Sequence, residues 1–586
     1  MNNLRVVLLS DSRPSRVWKI ANRITRELPS AKVCGIVQRP VRYLPVAQQL
    51  IAKADVRRTS ALLPRRPKAH RWFHSLVEKL LYLALWWIHG FPPNLNSSNA
   101  VTAENLAEKC RHVGWPLLLA ADLSDERVLD FVRQQRPNLA IVLGQFPVSP
   151  ELAAVPSGGL IWASQSDVTT DGEPIEEGLQ IRIEHHTKDS GAPFTVASLN
   201  VPSQPHDGLL GFTLKTDLIS NDLLVQTAVS LQTGSEAQAS KEVTEWMHRI
   251  LWPYFTQHER RSLKPGQTLP SCRRHRPVWK LCLDTLLLCS PYMVARNWYR
   301  RIDGKCPVLI LGHHLVSDRG HRMGISTEAF WRQVQFLQRY YRIASLSEAG
   351  ELLHSGDIRV PTVVLTFDDG YADNFVNLRA VADETGIPVA LFITTEPVGI
   401  HKEFQHDLEN GNDGFLPLTW EQIRYWSLGE VEFGSHTHTH FDCGSTDRPT
   451  LSREIIGSKH DLENRLGKPV RFFAFPFGQH ENLSAEAIDV AASAYPYFVS
   501  CFGGENLPVR RLNRRHFFRK QFYADAWELE LELQSVFDLA DTIKQRFSRC
   551  VDAVAFRGEL RRFGCTGSSH VAPSRKGPGR YSSAGS

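Results

Sequence analysis

From Pro307 onward, short apolar runs alternate with helical stretches at wide spacing, and no other feature of the chain constrains its fold as much. VLIL (308–311), TVVLTF (362–367), VALFIT (389–394), VEFG (431–434) and FFAF (472–475) read as buried strands. Thr419 opens an intervening helix, with Gln422 placed to complete a capping box. Strands that alternate with helices over about 200 residues predict an α/β barrel, whose chemistry sits at strand C-termini.

The first 230 or so residues read as a separate α/β unit. RVVLL (5–9), KVCGIV (32–37) and LAIVL (139–143) are strand candidates. A helix is expected over residues 124–135, with Val128, Leu129 and Val132 on one face and Pro137 ending it. An insertion at about 55–100 pairs Arg65, Arg66, Lys68 and Arg71 with the run LLYLALWWI. A second such pairing places Arg273, Arg274, Arg276 and Lys280 before Leu281 to Ala295. Each segment is expected to bury its apolar face between domains; a helix lying in a membrane interface is the alternative. The longest apolar run, Leu80 to Ile88, is too short to span a bilayer, which takes about 20 residues.

Asp368 and Asp369 directly follow TVVLTF. Adjacent carboxylates at a strand end disfavour joint ionisation unless something compensates them, and a divalent metal is the usual compensation. GSHTHTH (434–440) follows another strand, and the i, i+4 spacing lets His436 and His440 converge on one ion. A carboxylate and two histidines plus water form an open catalytic site for zinc or a similar metal, leaving the second carboxylate free as general base. A lone Asp-Asp is usually a solvated turn and a lone HxxxH two surface histidines; it is their conjunction at strand ends that points to function. His438 is read as a non-ligand.

VVLTFDDGYADN (363–374), GSHTHTH (434–440) and RFFAFPFG (471–478) resemble the first three motifs of the polysaccharide deacetylase family, also called NodB-homology or carbohydrate esterase 4, in its FDDGY-containing branch. The likeness covers roughly residues 305–515. It implies a distorted (β/α) barrel that hydrolyses N- or O-acetyl groups on sugars. Asp368 would be the general base, Asp369, His436 and His440 the ligands of a divalent metal such as Zn2+, and the backbone N–H of Phe477 an oxyanion donor. Many members carry an arginine where this chain has Ala474, and Arg510 or Arg511 is expected to supply that cation. His516 is the candidate general acid, with His480 and His314 as others.

Residues 102–144 are similar to the formyltransferase fold, a Rossmann-type α/β domain. Where the formyltransferases carry a catalytic Asn and His, GLIWASQSDV (159–168) has Trp162 and Ser164, which cannot take those roles. Asp189 stands where their aspartate would be, and the domain is expected to be inactive. The division that follows is a formyltransferase-like domain at 1–235, a helical connector at 236–304, the deacetylase domain at 305–520, and a helical extension with a disordered tail at 521–586.

The expected activity is metal-dependent removal of acetyl groups from a carbohydrate, either an intracellular exopolysaccharide precursor or a lipid- or nucleotide-linked amino sugar. An impaired carbohydrate-binding or scaffold protein of polysaccharide biosynthesis is the alternative. Ten cysteines contain no C-x-x-C pair, and the N-terminus lacks signal-peptide features, so free thiols in a cytoplasmic protein are expected, with peripheral contact at the inner membrane face as an option. Residues 1–500 balance at 53 basic and 53 acidic side chains, which argues against nucleic acid as a partner. The last 86 residues hold 15 against 9, and five of those cations fall in 510–519, where they are expected to line the site's rim.

Overall fold

The computed structural model describes residues 4–12, 14–39 and 103–538, apart from 145, 147, 171–172, 189–191, 203–207, 233–234, 260–277, 320, 413, 503 and 509–514. The first basic insertion, Asp189, Arg510, Arg511, Arg514 and the tail lie outside the described residues.

In the N-terminal region, β1 (Leu4–Ser10), β2 (Ala31–Gln38), β3 (Leu117–Leu119), β4 (Leu139–Leu143) and β5 (Leu160–Thr170) form a parallel sheet in the order β3-β2-β1-β4-β5. The helix Pro14–Glu27 links β1 to β2 and buries Val17, Ile20, Ala21 and Ile24, which share one helical face. The helix Glu126–Gln135 starts two residues later than the sequence suggests, because Asp125 caps it by accepting from the Arg127 N–H. Val128 and Val132 are its buried residues. Two further strands, β6 (Glu173–His186) and β7 (Phe194–Pro202), extend the sheet antiparallel beyond β5.

The C-terminal region begins with β8 (Val308–His313) and the short parallel pair β9 (Leu315–Val316) and β10 (Gly324–Ile325). Then come β11 (Arg342–Ile343), β12 (Thr362–Phe367), β13 (Val389–Ile393), β14 (Val431–Ser435), β15 (Phe472–Ala474), β16 (Tyr497–Ser500) and β17 (His516–Gln521). β8, β12, β13, β14, β15, β16 and β17 run parallel and close, β17 back onto β8, into a seven-stranded barrel, with β11 flanking β12. Alternate side chains divide between two cores. Val308, Ile310, Val364, Phe392, Val499 and Phe517 pack together inside the barrel, while Leu309, Leu311, Val363, Leu365 and Phe473 belong to the outer core.

That outer core continues into the N-terminal sheet. The helix Leu209–Leu231 lies between the two, packing on β5, β6 and β7 and on the barrel helix Asp373–Thr385. It is buried around most of its circumference, with polar Thr216, Ser220, Asp222 and Thr227 buried among its apolar residues. The helix Glu236–Ile250, which the sequence reading places in a connector, packs on β7. The helices Val278–Leu288 and Pro291–Ile302 do not bury an apolar face between sheet and barrel; Leu283, Leu286, Trp298 and Ile302 are exposed.

One charge cluster crosses the contact between sheet and barrel. Asp222, fully buried on helix 209–231, accepts from Arg23 at 2.6 Å, from the Tyr425 hydroxyl at 3.2 Å and from Arg379. Arg23 also donates to Tyr425. Replacing Asp222 with Ala leaves the buried Arg379 guanidinium without its carboxylate and Arg23 with the Glu27 carboxylate alone, and chemical denaturation should register a loss of about 3–5 kcal/mol.

Candidate metal centre and its base

The barrel brings its chemistry to the C-terminal ends of its strands. Asp368 and Asp369 follow β12, His436 and His440 follow β14, the Pro476–Gly478 turn follows β15, and His314 follows β8. Asp369 Oδ1 stands 3.5 Å from His436 Nε2 and 3.4 Å from His440 Nε2. One ligand atom from each of the three lies within 4.8 Å of the others. His436 Nδ1 donates to the Ala474 carbonyl at 2.8 Å, which leaves the Nε2 lone pair facing the carboxylate. Burial holds His436 down at about 4 and His440 well below its ordinary value, so both rings are neutral at pH 7, as metal ligands must be.

The donor set fits a divalent cation. Both oxygens of Asp369 are buried and have no hydrogen-bond partner. Burial, with the charges of Asp368 and Asp407 beside it, pushes this carboxyl well above its usual range. Such a group is costly unless a positive charge is supplied, and two neutral imidazoles supply none. Asp369, His436 and His440 would hold the ion. His438 is turned elsewhere, its Nδ1 being 2.9 Å from the Thr395 hydroxyl and 3.3 Å from Asp461.

Asp368 is compensated by a different route. Arg519, on β17 and almost wholly buried, donates to Asp368 Oδ1 at 2.6 Å inside the barrel. Burial alone would raise Asp368, but the guanidinium outweighs it and brings the carboxyl down to about 2. The cation beside Asp368 is therefore Arg519, whereas Arg511 lies outside the described residues. Ala474 on β15 is fully buried and belongs to the same interior, and Gly312 on β8 gives the arginine room. Arg515 donates to the carbonyls of Ala492 and Pro496. Of the five cations expected to form a rim, Arg519 is thus interior and Arg515 is tied to backbone.

Backbone strain concentrates at the site. Asp369, Thr437, His440 and Phe477 all have positive φ, near 60°, a region that disfavours non-glycine residues by about 1 kcal/mol or more each. Gly370 at φ 90° completes the reversal after Asp369. The strained HTHTH loop is held by Glu454, a buried residue on a π-helical turn (Arg453–Gly457). Its Oε2 accepts from the amides of His438 and Thr439 at 3.1 and 2.9 Å and from the Thr439 hydroxyl at 3.2 Å.

Two histidines join the centre. His314 is half-buried beside Asp368, Arg519 and His436, and desolvation lowers it to about 3. Asn374 anchors this segment, donating to the His314 carbonyl at 2.8 Å and accepting from the Val316 amide at 2.9 Å. His406, which the sequence reading does not single out, lies with Nε2 3.8 Å from Asp369 Oδ2 and 3.0 Å from the Tyr371 hydroxyl. Tyr371 donates in turn to Asp407, which His321 also contacts at 2.8 Å. The only sequence signal for His406 is its place in the segment between the barrel strands β13 and β14.

His516 is not brought to this group. It opens β17 at the end opposite the carboxylates and meets Ser500 at 2.8 Å and the rings of Phe498 and Phe518. His480 stacks on Phe502 at 3.8 Å. Phe477 is about half exposed, and its ring lies 4.9 Å from that of His440.

Residues 355–494 match the family model described as polysaccharide deacetylase, so the barrel carries a polysaccharide deacetylase domain. The chain is 23% identical over 189 residues to the candidate polysaccharide deacetylase YxkH of Bacillus subtilis (strain 168), covering 32% of this chain and 61% of that protein. Among solved structures it is similar to IcaB from Ammonifex degensii, at 20% identity and a TM-score of 0.34, over 39% of this chain and 97% of that one. It is also similar to phosphoribosylglycinamide formyltransferase from Bacillus halodurans, at 10% identity and a TM-score of 0.23, over 40% of this chain and 94% of that one.

Two outcomes follow from the site geometry. In metal-free protein at pH 7, Asp369→Asn should raise stability by roughly 1–3 kcal/mol in denaturant titration, because an uncompensated buried carboxylate is removed. Glu454→Ala should weaken metal affinity by about 10- to 100-fold in competition titration, since the loop that aims His440 loses its clamp.

Proposed function

We propose that the chain is a metal-dependent carbohydrate deacetylase acting on an acetylated amino sugar within a glycan or its lipid- or nucleotide-linked precursor. The observation that carries this reading is the pairing of Asp368 with Arg519 directly beside the Asp369, His436 and His440 cluster. It supplies a carboxylate kept ionised next to a donor set that takes a cation. When bound, a divalent ion, Zn2+ by the chemistry of the donors, supplies Lewis acidity to a water and to the acyl carbonyl.

The chain's own groups divide the remaining work. Asp368, ionised far below neutral pH, accepts the proton of the attacking water. The main-chain N–H of Phe477, at the reversed Pro476–Gly478 turn, donates to the developing oxyanion. His314, neutral at pH 7, holds the leaving nitrogen through a ring N–H hydrogen bond, and the proton taken up by Asp368 passes to that nitrogen as the C–N bond breaks, so the general-acid part that the sequence reading gives to His516 falls to Asp368. The exposed face of Phe477 and the His480–Phe502 stack offer flat apolar surfaces that suit a pyranose ring.

Acetate release across acetylated sugars, free, nucleotide-linked and lipid-linked, tests the reading. Asp368→Asn should abolish release, by about 10²-fold or more, while elemental analysis still finds metal. His436→Ala or His440→Ala should lose both. Turnover that survives in Asp368→Asn would remove that residue as the base.

A further inference from the structure

The two oxygens of Asp369 face different histidines. Oδ1 is turned to His436 and His440, whereas Oδ2 has His406 Nε2 at 3.8 Å. Both oxygens are buried and without a hydrogen-bond partner. A lone pair on His406 Nε2 would make that residue a further ligand for a cation; an N–H would make it a donor to the carboxylate.

The hydrogen bonds behind His406 decide between the two, starting from a main-chain amide. The Met323 N–H donates to His321 Nδ1 at 3.2 Å, which leaves the ring's proton on Nε2. That nitrogen donates to Asp407 Oδ1 at 2.8 Å. Burial alone would raise Asp407, but its contacts with His321 and Tyr371 outweigh burial and hold it below the usual carboxylate range. An ionised carboxylate only accepts, so the Tyr371 hydroxyl gives its single proton to Asp407 Oδ2 at 2.7 Å. The Tyr371 oxygen is then left to accept from His406 Nε2, 3.0 Å away. Buried Phe404 packs on both rings, with centroids 4.6 Å from Tyr371 and 5.6 Å from His406. The atom nearest Asp369 Oδ2 is therefore an N–H held in place by three other side chains. A change of about 1 Å in either side chain brings the pair to hydrogen-bond length.

We propose that His406 is a positioning residue for Asp369: its Nε2–H, fixed by the chain through Tyr371, Asp407 and His321, secures Oδ2 and keeps Oδ1 turned to His436 and His440. Carboxylates that ligate metals are commonly held in this way by a donor behind them. This role rests on the metal-dependent reading of the site.

Competition titration of full-length protein with Zn2+ and a chromophoric chelator tests it, together with visible spectra of the Co2+-loaded protein. His406→Leu should weaken Zn2+ affinity by about tenfold or more and alter the Co2+ spectrum. His406→Gln, whose amide retains a donor, should stay within about threefold of the wild type. X-ray absorption of the Zn2+-loaded wild type should find the imidazoles of His436 and His440 and no third. Unchanged affinity or an unchanged Co2+ spectrum in His406→Leu, equal losses in the Leu and Gln variants, or a third imidazole on the metal overturns the inference and leaves the deacetylase reading standing. Wild-type protein that takes up no Zn2+ removes that reading and this inference with it.

Discussion

Two carboxylates on successive residues, Asp368 and Asp369, cannot both be buried and ionised without separate compensation, and the barrel is arranged around that constraint. The reversed backbone at Asp369 sends the two side chains to different surroundings. One meets the Arg519 guanidinium inside the barrel; the other faces three imidazole nitrogens with both its oxygens unpartnered. The same side-chain chemistry is thereby given two roles, one carboxylate kept ionised by a fixed cation and the other prepared for an exchangeable one.

Much of the surrounding sequence serves to hold strained loops in place. Asp373 and Asn374, which follow the carboxylates in the same motif, act at a distance from the chemistry. Asp373 binds Ser317 and Arg319, and Asn374 fixes the backbone on either side of Leu315. Glu454 does the equivalent service for the histidine loop, from the π-helical turn Arg453–Gly457. Each clamp comes from an element other than the one it restrains, so the geometry of the centre is a property of the whole barrel.

The barrel strands and the first three motifs were legible because their signals are local: an apolar run ends, and the chemical residues follow within a few positions. The Thr419–Gln422 capping box was legible for the same reason. Arg519 was not, since its partner lies 151 residues away and only closure of β17 onto β8 brings them together. In HFFRKQ the alternation of Phe517 and Arg519 on one face was the available clue. The β5–β6 hairpin was missed because Ile181 and Ile183 alternate with Gln180, Arg182 and Glu184, a one-sided pattern weaker than a continuous apolar run. Helices 278–288 and 291–302 defeated the reading in another way. Their apolar stripes are evident in sequence, but periodicity cannot tell which side faces the protein.

The pairing of Arg519 with Asp368 also sets an order in time. Asp368 follows the second strand of the barrel, whereas its cation arrives on the seventh, after Asp369, His436 and His440 have been made. A chain still emerging from synthesis carries Asp369, His436 and His440 yet lacks the charge that keeps the neighbouring carboxylate ionised in a dry interior. The last strand therefore serves as a molecular end-check: only a completed barrel possesses the polarity that its centre needs.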